Sequence, residues 1–102
     1  MTVFHVVLIS WSPLATVEHR EAARRIARSF PGNIPGVLSV VEGPSVSPEN
    51  LEGPYDYGMV ITFSDEHARD GYLPHPAHQA FVRLLGGGAM STIAVFDIDG
   101  SS

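Results

Sequence analysis

The chain predicts an α+β fold of the ferredoxin-like, split β-α-β kind: a four-stranded antiparallel sheet with helices on one face. Three observations carry this. Four runs rich in β-branched and aromatic residues fall at 3–11, 36–43, 55–63 and 91–98. Segments with helical apolar spacing lie between them, in the order β-α-β-β-α-(α)-β. The strands are apolar on both faces, while the helices cover only one, so a lone chain would expose a large apolar patch. The simplest solution is sheet-to-sheet pairing of two copies into a closed or nearly closed dimeric barrel. With 102 residues, 44% of them apolar, the chain suits one domain over 1–102.

The first strand is VFHVVLISW, residues 3–11. Alternation puts His5, Val7, Ile9 and Trp11 on one face and Phe4, Val6, Leu8 and Ser10 on the other. Thr16 can cap a helix over 17–29, with Ala22, Ala23, Ile26, Ala27 and Phe30 as its inner stripe. Pro31-Gly32-Asn33 is expected to stop it. Strand 36–43 follows, and residues 44–54, PSVSPENLEGP, read as a surface loop. In the third strand Tyr55, Tyr57, Met59, Ile61 and Phe63 share a face. Ser64 is the expected cap of a short helix that Gly71 and Pro74 end. A helix from Pro76 to about Leu85 comes next, then a flexible Gly86-Gly87-Gly88 turn, the last strand, and a frayed Gly100-Ser101-Ser102 tail.

Composition removes several function classes. The net charge is −5, with six basic residues, all arginine. Four of them, Arg20, Arg24, Arg25 and Arg28, share one helix with Glu18 and Glu21, a solvated face and not a nucleic-acid footprint. There is no cysteine, so disulfides and thiolate metal sites are out. No apolar run reaches the length of a membrane span. The opening MTVFHVVLISW reads as a strand and not as a signal peptide, so a cytoplasmic location is expected. Gly86–Gly88 follows a helix and lacks a Lys-Ser/Thr sequel, which excludes a phosphate-binding loop.

The chemistry concentrates in Gly71-Tyr72-Leu73-Pro74-His75-Pro76-Ala77-His78. Pro76 suits the first turn of a helix. That places His75 at the cap and His78 in the first turn. Two readings stay open: a helix start whose histidines cap and fill, or a rigid mount that holds imidazoles for chemistry. His5, in an apolar strand, needs a hydrogen-bond partner or a pocket. His5, His75 and His78 offer three nitrogens, but HxxH at a helix start is a weak metal spacing, and no metal is expected. Asp56, Asp65, Asp70, Asp97 and Asp99 are expected at the surface or at caps.

FHVVLISW with His5, VEGPSVSPENLEGPYDYGMVITF, SDEHARDGYLPHPAHQAFVRLL and the final AVFDI resemble the stress-responsive dimeric α/β-barrel (Dabb) family over nearly the whole chain. The resemblance implies the same fold and dimer, and a cavity between each sheet and its own helices. Many members have no defined activity, and some are noted as stable oligomers in stressed plants. The olivetolic acid cyclase type closes a linear polyketide by an intramolecular aldol condensation without a cofactor. By position, its Tyr and His would be Tyr72 and His78, and His5 matches a further pocket histidine. A tyrosine on that cyclase's first helix has no counterpart between Ile26 and Phe30.

Such chemistry needs a base of near-neutral pKa and a donor for the developing oxyanion. His78 suits the first role, since a helix N-terminus and an apolar pocket both disfavour imidazolium. Tyr72 can orient a ring nitrogen of His78 or donate to a carbonyl. His5 can supply a second polar contact. His75, Val7, Ile9, Trp11, Phe81 and Leu84 are the expected contacts for a small hydrophobic or aromatic ligand. The alternative is a non-catalytic binding or stability protein of the same fold.

Overall fold

A computed structural model describes residues 1–100. The chain runs β1 (Val3–Trp11), α1 (Val17–Asn33), β2 (Val37–Gly43), β3 (Tyr57–Phe63), α2 (Glu66–Tyr72), α3 (Pro76–Leu84) and β4 (Met90–Asp99). The strands form one antiparallel sheet in the order β2-β3-β1-β4. This is the fold that the element order predicts.

The core lies between the sheet and the helices. Alternation in β1 buries Val3, His5, Val7 and Ile9, and alternation in β3 buries Tyr57, Met59, Ile61 and Phe63. From α1, Ala23, Ala27 and Phe30 meet them, and Phe81 comes from α3. The other sheet face stays apolar and open. Leu8, Val41, Phe96 and Ile98 are each 37% exposed or more.

Glu42 on β2 fixes α1 to the sheet. Its side chain is 3% exposed and accepts from Arg24 Nε (2.9 Å), Arg28 Nε (2.7 Å) and the Tyr57 hydroxyl (2.9 Å). Burial works against the carboxylate, but the two arginines and the tyrosine outweigh it and hold its pKa below the ordinary value.

Several expected boundaries move. Helix α1 continues past Pro31 to Asn33. Phe30 and Ile34 are both core residues, and Ile34 N–H closes the last turn on Phe30 O at 2.9 Å, so burial carries the chain across the proline. Asp65, not Ser64, caps α2, accepting from Ala68 N–H at 2.8 Å. Gly71 lies inside α2, which ends at Tyr72 because that ring is anchored in the core. The expected third strand begins at Tyr57 and not Tyr55. Gly86–Gly88 belong to a wide helical turn, Leu85–Ala89, whose buried ends fix it, with Gly88 at φ +100°. Gly100 is not frayed: its N–H bonds Thr2 O at 2.8 Å. Ser101 and Ser102 lie outside the described residues.

Candidate functional site

The antiparallel register sets His5 of β1 between Ile61 of β3 and Asp97 of β4. Cross-strand partners share a face, so the imidazole and the carboxylate meet on the helix side. His5 Nδ1 lies 2.6 Å from Asp97 Oδ1. Asp97 Oδ2 accepts from Arg69 Nη1, also at 2.6 Å. Burial would raise the Asp97 pKa, but the bonds from His5 and Arg69 hold it below the ordinary value, so the carboxylate accepts and His5 Nδ1 carries the proton. Asp97 is a surface residue as expected, but its carboxylate is also tied to His5 and Arg69.

Tyr72, the last residue of α2, is 2% exposed. Phe63, His5 and Phe30 pack on its ring edge-to-face at 5.1, 5.5 and 5.6 Å between centroids. Burial pushes its phenol well above the ordinary value, so it is a donor and not an anion. The hydroxyl has no partner among the described residues, and no described side-chain polar atom is both sealed and unpartnered. It therefore opens onto the adjacent cavity.

Pro76 starts α3, and His75 caps it, its Nδ1 accepting from Ala77 N–H at 3.1 Å. His78, one turn in, stacks on Tyr72 at 4.1 Å between centroids. Its Nδ1 is 2.9 Å from Leu73 O. A carbonyl only accepts, so Nδ1 carries the hydrogen and Nε2 of the neutral ring is left with a lone pair. Leu73 O, not Tyr72, orients the imidazole, which frees the Tyr72 hydroxyl for a ligand. Burial lowers the His78 pKa against the opposing pull of Leu73 O.

These groups surround a cavity of about 250 Å³ between the sheet and α2–α3. His5, Tyr72 and His78 stand in its wall with Val7 and Phe81. The other expected contacts lie elsewhere. His75 caps α3, Ile9 is fully buried core, and Leu84 packs at the core's edge. Trp11 stacks with Tyr57 at 5.5 Å under the Arg20 guanidinium. Met59, Leu73, Val82, Leu85, Ile93 and Val95 complete the wall. The helix-side set Ile93, Val95 and Asp97 follows from aligning β4 against β1; Arg69 has no comparable signal in the sequence.

A larger concavity, about 390 Å³, lies on the opposite face beside the 44–56 loop. Val6, Leu8, Val41 and Val60 line it, and no histidine does. It belongs to the open apolar face and its ionisable lining is carboxylate and phenol, with Glu42 already held by Arg24, Arg28 and Tyr57, so the smaller cavity with its two imidazoles is the candidate site. Among the described residues no three His, Cys, Asp or Glu side chains converge as a metal site would require, and no helix is long and apolar enough to cross a membrane.

Together these features define a ferredoxin-like domain with a His–Tyr–His set in an apolar, helix-side cavity. The chain belongs to the stress responsive A/B barrel domain (Dabb) family, whose model matches residues 3–99. An Arabidopsis thaliana protein is similar at 28% identity, TM-score 0.85, with 98% of this chain and 96% of that one covered. A dimeric ferredoxin-like protein of unknown function from Jannaschia sp. CCS1 is similar at 25% identity, TM-score 0.85, covering 97% and 99%. The hydroxynitrile lyase of Passiflora edulis shares the fold at 13% identity, TM-score 0.84, covering 99% and 96%. No curated protein matches the chain.

Proposed function

We propose that this protein is a cofactor-independent carbon-acid enzyme of the polyketide cyclase kind, acting on a neutral polyketide-like or aromatic carbonyl compound. The observation that supports this most is the orientation of the two cavity imidazoles. Each has Nδ1 tied to an acceptor, Leu73 O for His78 and Asp97 for His5, so each Nε2 is left for a ligand. The Tyr72 hydroxyl is a third free group in the same wall.

His78 Nε2 takes a proton from the carbon next to a carbonyl. The Tyr72 hydroxyl donates to the enolate oxygen. The enolate carbon attacks a second carbonyl of the same substrate, forming the new C–C bond. His78 returns its proton to the resulting alkoxide and is neutral again, so protons and electrons balance without a cofactor. The wall is mainly apolar, and at about 250 Å³ the cavity holds only a small part of a long chain at once.

The working unit in this proposal is a homodimer joined through the open sheet face. The Jannaschia relative is itself described as dimeric.

The test is a mass-spectrometric screen of diketide to tetraketide thioesters, with an aromatic hydroxynitrile as a further arm. Wild type is compared with His78→Ala. A loss of about 10²–10⁴-fold in turnover is expected in the variant, with the fold intact. Equal turnover in both proteins refutes His78 as the base. A non-catalytic binding role would show as ligand-induced stabilisation without product.

A further inference from the structure

His5 heads a short chain of charge that crosses three elements. Its Nδ1 meets Asp97 Oδ1 on β4 at 2.6 Å, and Asp97 Oδ2 accepts from Arg69 Nη1 on α2 at 2.6 Å. Arg69 Nε donates in turn to Asp70 at 3.0 Å. The Arg69 and Asp97 side chains are 25% and 28% exposed, so the pair sits at the protein surface over the buried His5 ring. Helix α2 ends on Tyr72, which lines the same cavity as His5.

We propose that Arg69 is a positioning residue for His5: by occupying one oxygen of Asp97 while His5 occupies the other, it keeps Nε2 of His5 an acceptor aimed into the cavity and clamps the tyrosine-bearing helix to the edge strand. A carboxylate bonded only to an imidazole favours the doubly protonated ring, because its whole charge faces that ring. A guanidinium on the second oxygen offsets the charge at fixed geometry. Two ordered bonds to one carboxylate also set its plane, and with it the plane of the imidazole.

The groups that face His5 from each packed element are few. Strand β4 gives Asp97 and, two residues on, Asp99; α2 gives Arg69, Asp70 and Tyr72; α3 gives His78. On β3 the neighbours Ile61 and Phe63 are uncharged. Arg69 is the one fixed cation in that set, so its removal is not masked by another.

The inference rests on the proposed use of the cavity, but its test reads the imidazole and not turnover. The ring nitrogens of ¹⁵N-histidine-labelled full chain are followed by NMR across the neutral pH range in wild type, Arg69→Leu and Arg69→Lys. In Arg69→Leu, the ring-nitrogen signals of His5 are expected to move from their wild-type positions, because the Asp97 carboxylate that orients the ring is no longer held from its second oxygen. Arg69→Lys is expected to restore most of the wild-type behaviour, and His19, whose Nδ1 accepts from Thr16 N–H at the start of α1, is expected not to move. Identical His5 signals in wild type and in a folded Arg69→Leu protein would overturn the proposal. If that variant does not fold, Arg69→Gln carries the same comparison, since it keeps an amide donor and loses only the charge. A shifted His5 together with an empty substrate screen would sink the enzyme reading and leave the role of Arg69 standing.

Discussion

In the proposed reaction His78 would serve as base because of the bond on its other nitrogen. Leu73 O fixes the hydrogen on Nδ1, and burial disfavours the second proton. The folded ring therefore titrates below the ordinary imidazole value of 6.5, and the neutral base persists through pH 7. The acid limb of a kcat/KM profile is expected to fall below 6.5, checked by an NMR titration of the same ring. A midpoint above 6.5 in both measurements would contradict it. The sign for stability is the same. The unfolded chain takes the proton first, so His78 weakens folding as pH drops below the unfolded value. Tyr72 separates packing from chemistry, because its ring fills the core while its hydroxyl bonds no described residue. Tyr72→Phe is expected to leave the unfolding free energy from urea titration within about 0.5 kcal/mol of wild type. The same variant should lower kcat by about 10²–10³-fold. A stability loss as large as that of a core truncation, about 3–5 kcal/mol, would show that the hydroxyl is structural after all. The Tyr72 and His78 positions are legible in the sequence because Pro76 announces the helix start and the local spacing does the rest. Asp97 is not legible in the same way: it stands 92 residues from His5, and only strand register brings them together. Trp11 shares the alternation of His5 and Val7, yet it stands at the far end of β1, where it stacks on Tyr57 beyond the reach of the cavity.

The elements are legible where local pattern and burial agree. Strands β1 and β3 alternate as written because one face of each is packed against helices. The helix ends are harder, because propensity at one residue competes with anchors that lie several residues away. Pro31 and Gly71 are both breakers by propensity, and both lie inside helices beside a buried aromatic, Phe30 and Tyr72 respectively. Glycines of the two kinds give a direct comparison. Gly36 has φ +83°, and an added Cβ would stand 2.3 Å from the Ala68 Cβ on α2. Gly71 is helical, and an added Cβ would meet nothing within 4 Å. Gly36→Ala is therefore expected to cost about 2 kcal/mol or more, through strain and the separation of β2 from α2. Gly71→Ala is expected to stabilise by up to about 1 kcal/mol. Urea unfolding of the two variants side by side checks this, and equal midpoints would refute the close approach of Gly36 to α2.

At the scale of the whole molecule the two faces of the sheet divide the work. The helix face holds the core and the cavity. The open face carries Leu8, Val41, Phe96 and Ile98, exposed by 37%, 70%, 68% and 46%. Side chains of this size each gain roughly 1–3 kcal/mol when removed from water, and a patch of them seldom stays bare on a monomer. A second copy with the same face would supply a self-complementary cover, as two-fold symmetry requires. The need for a cover is legible in the sequence, from strands apolar on both sides beside helices enough for one. The shape of the groove beside the 44–56 loop is not, since that loop has no periodicity to place it. Sedimentation at micromolar concentration is expected to give twice the chain mass of 11.0 kDa. Phe96→Asp puts a charge into the contact while leaving the helix face untouched, so it is expected to give a folded monomer in which the His78 ring titrates as in wild type. A wild-type monomer, or a Phe96→Asp dimer as tight as wild type, would show that the open face is not where two copies meet.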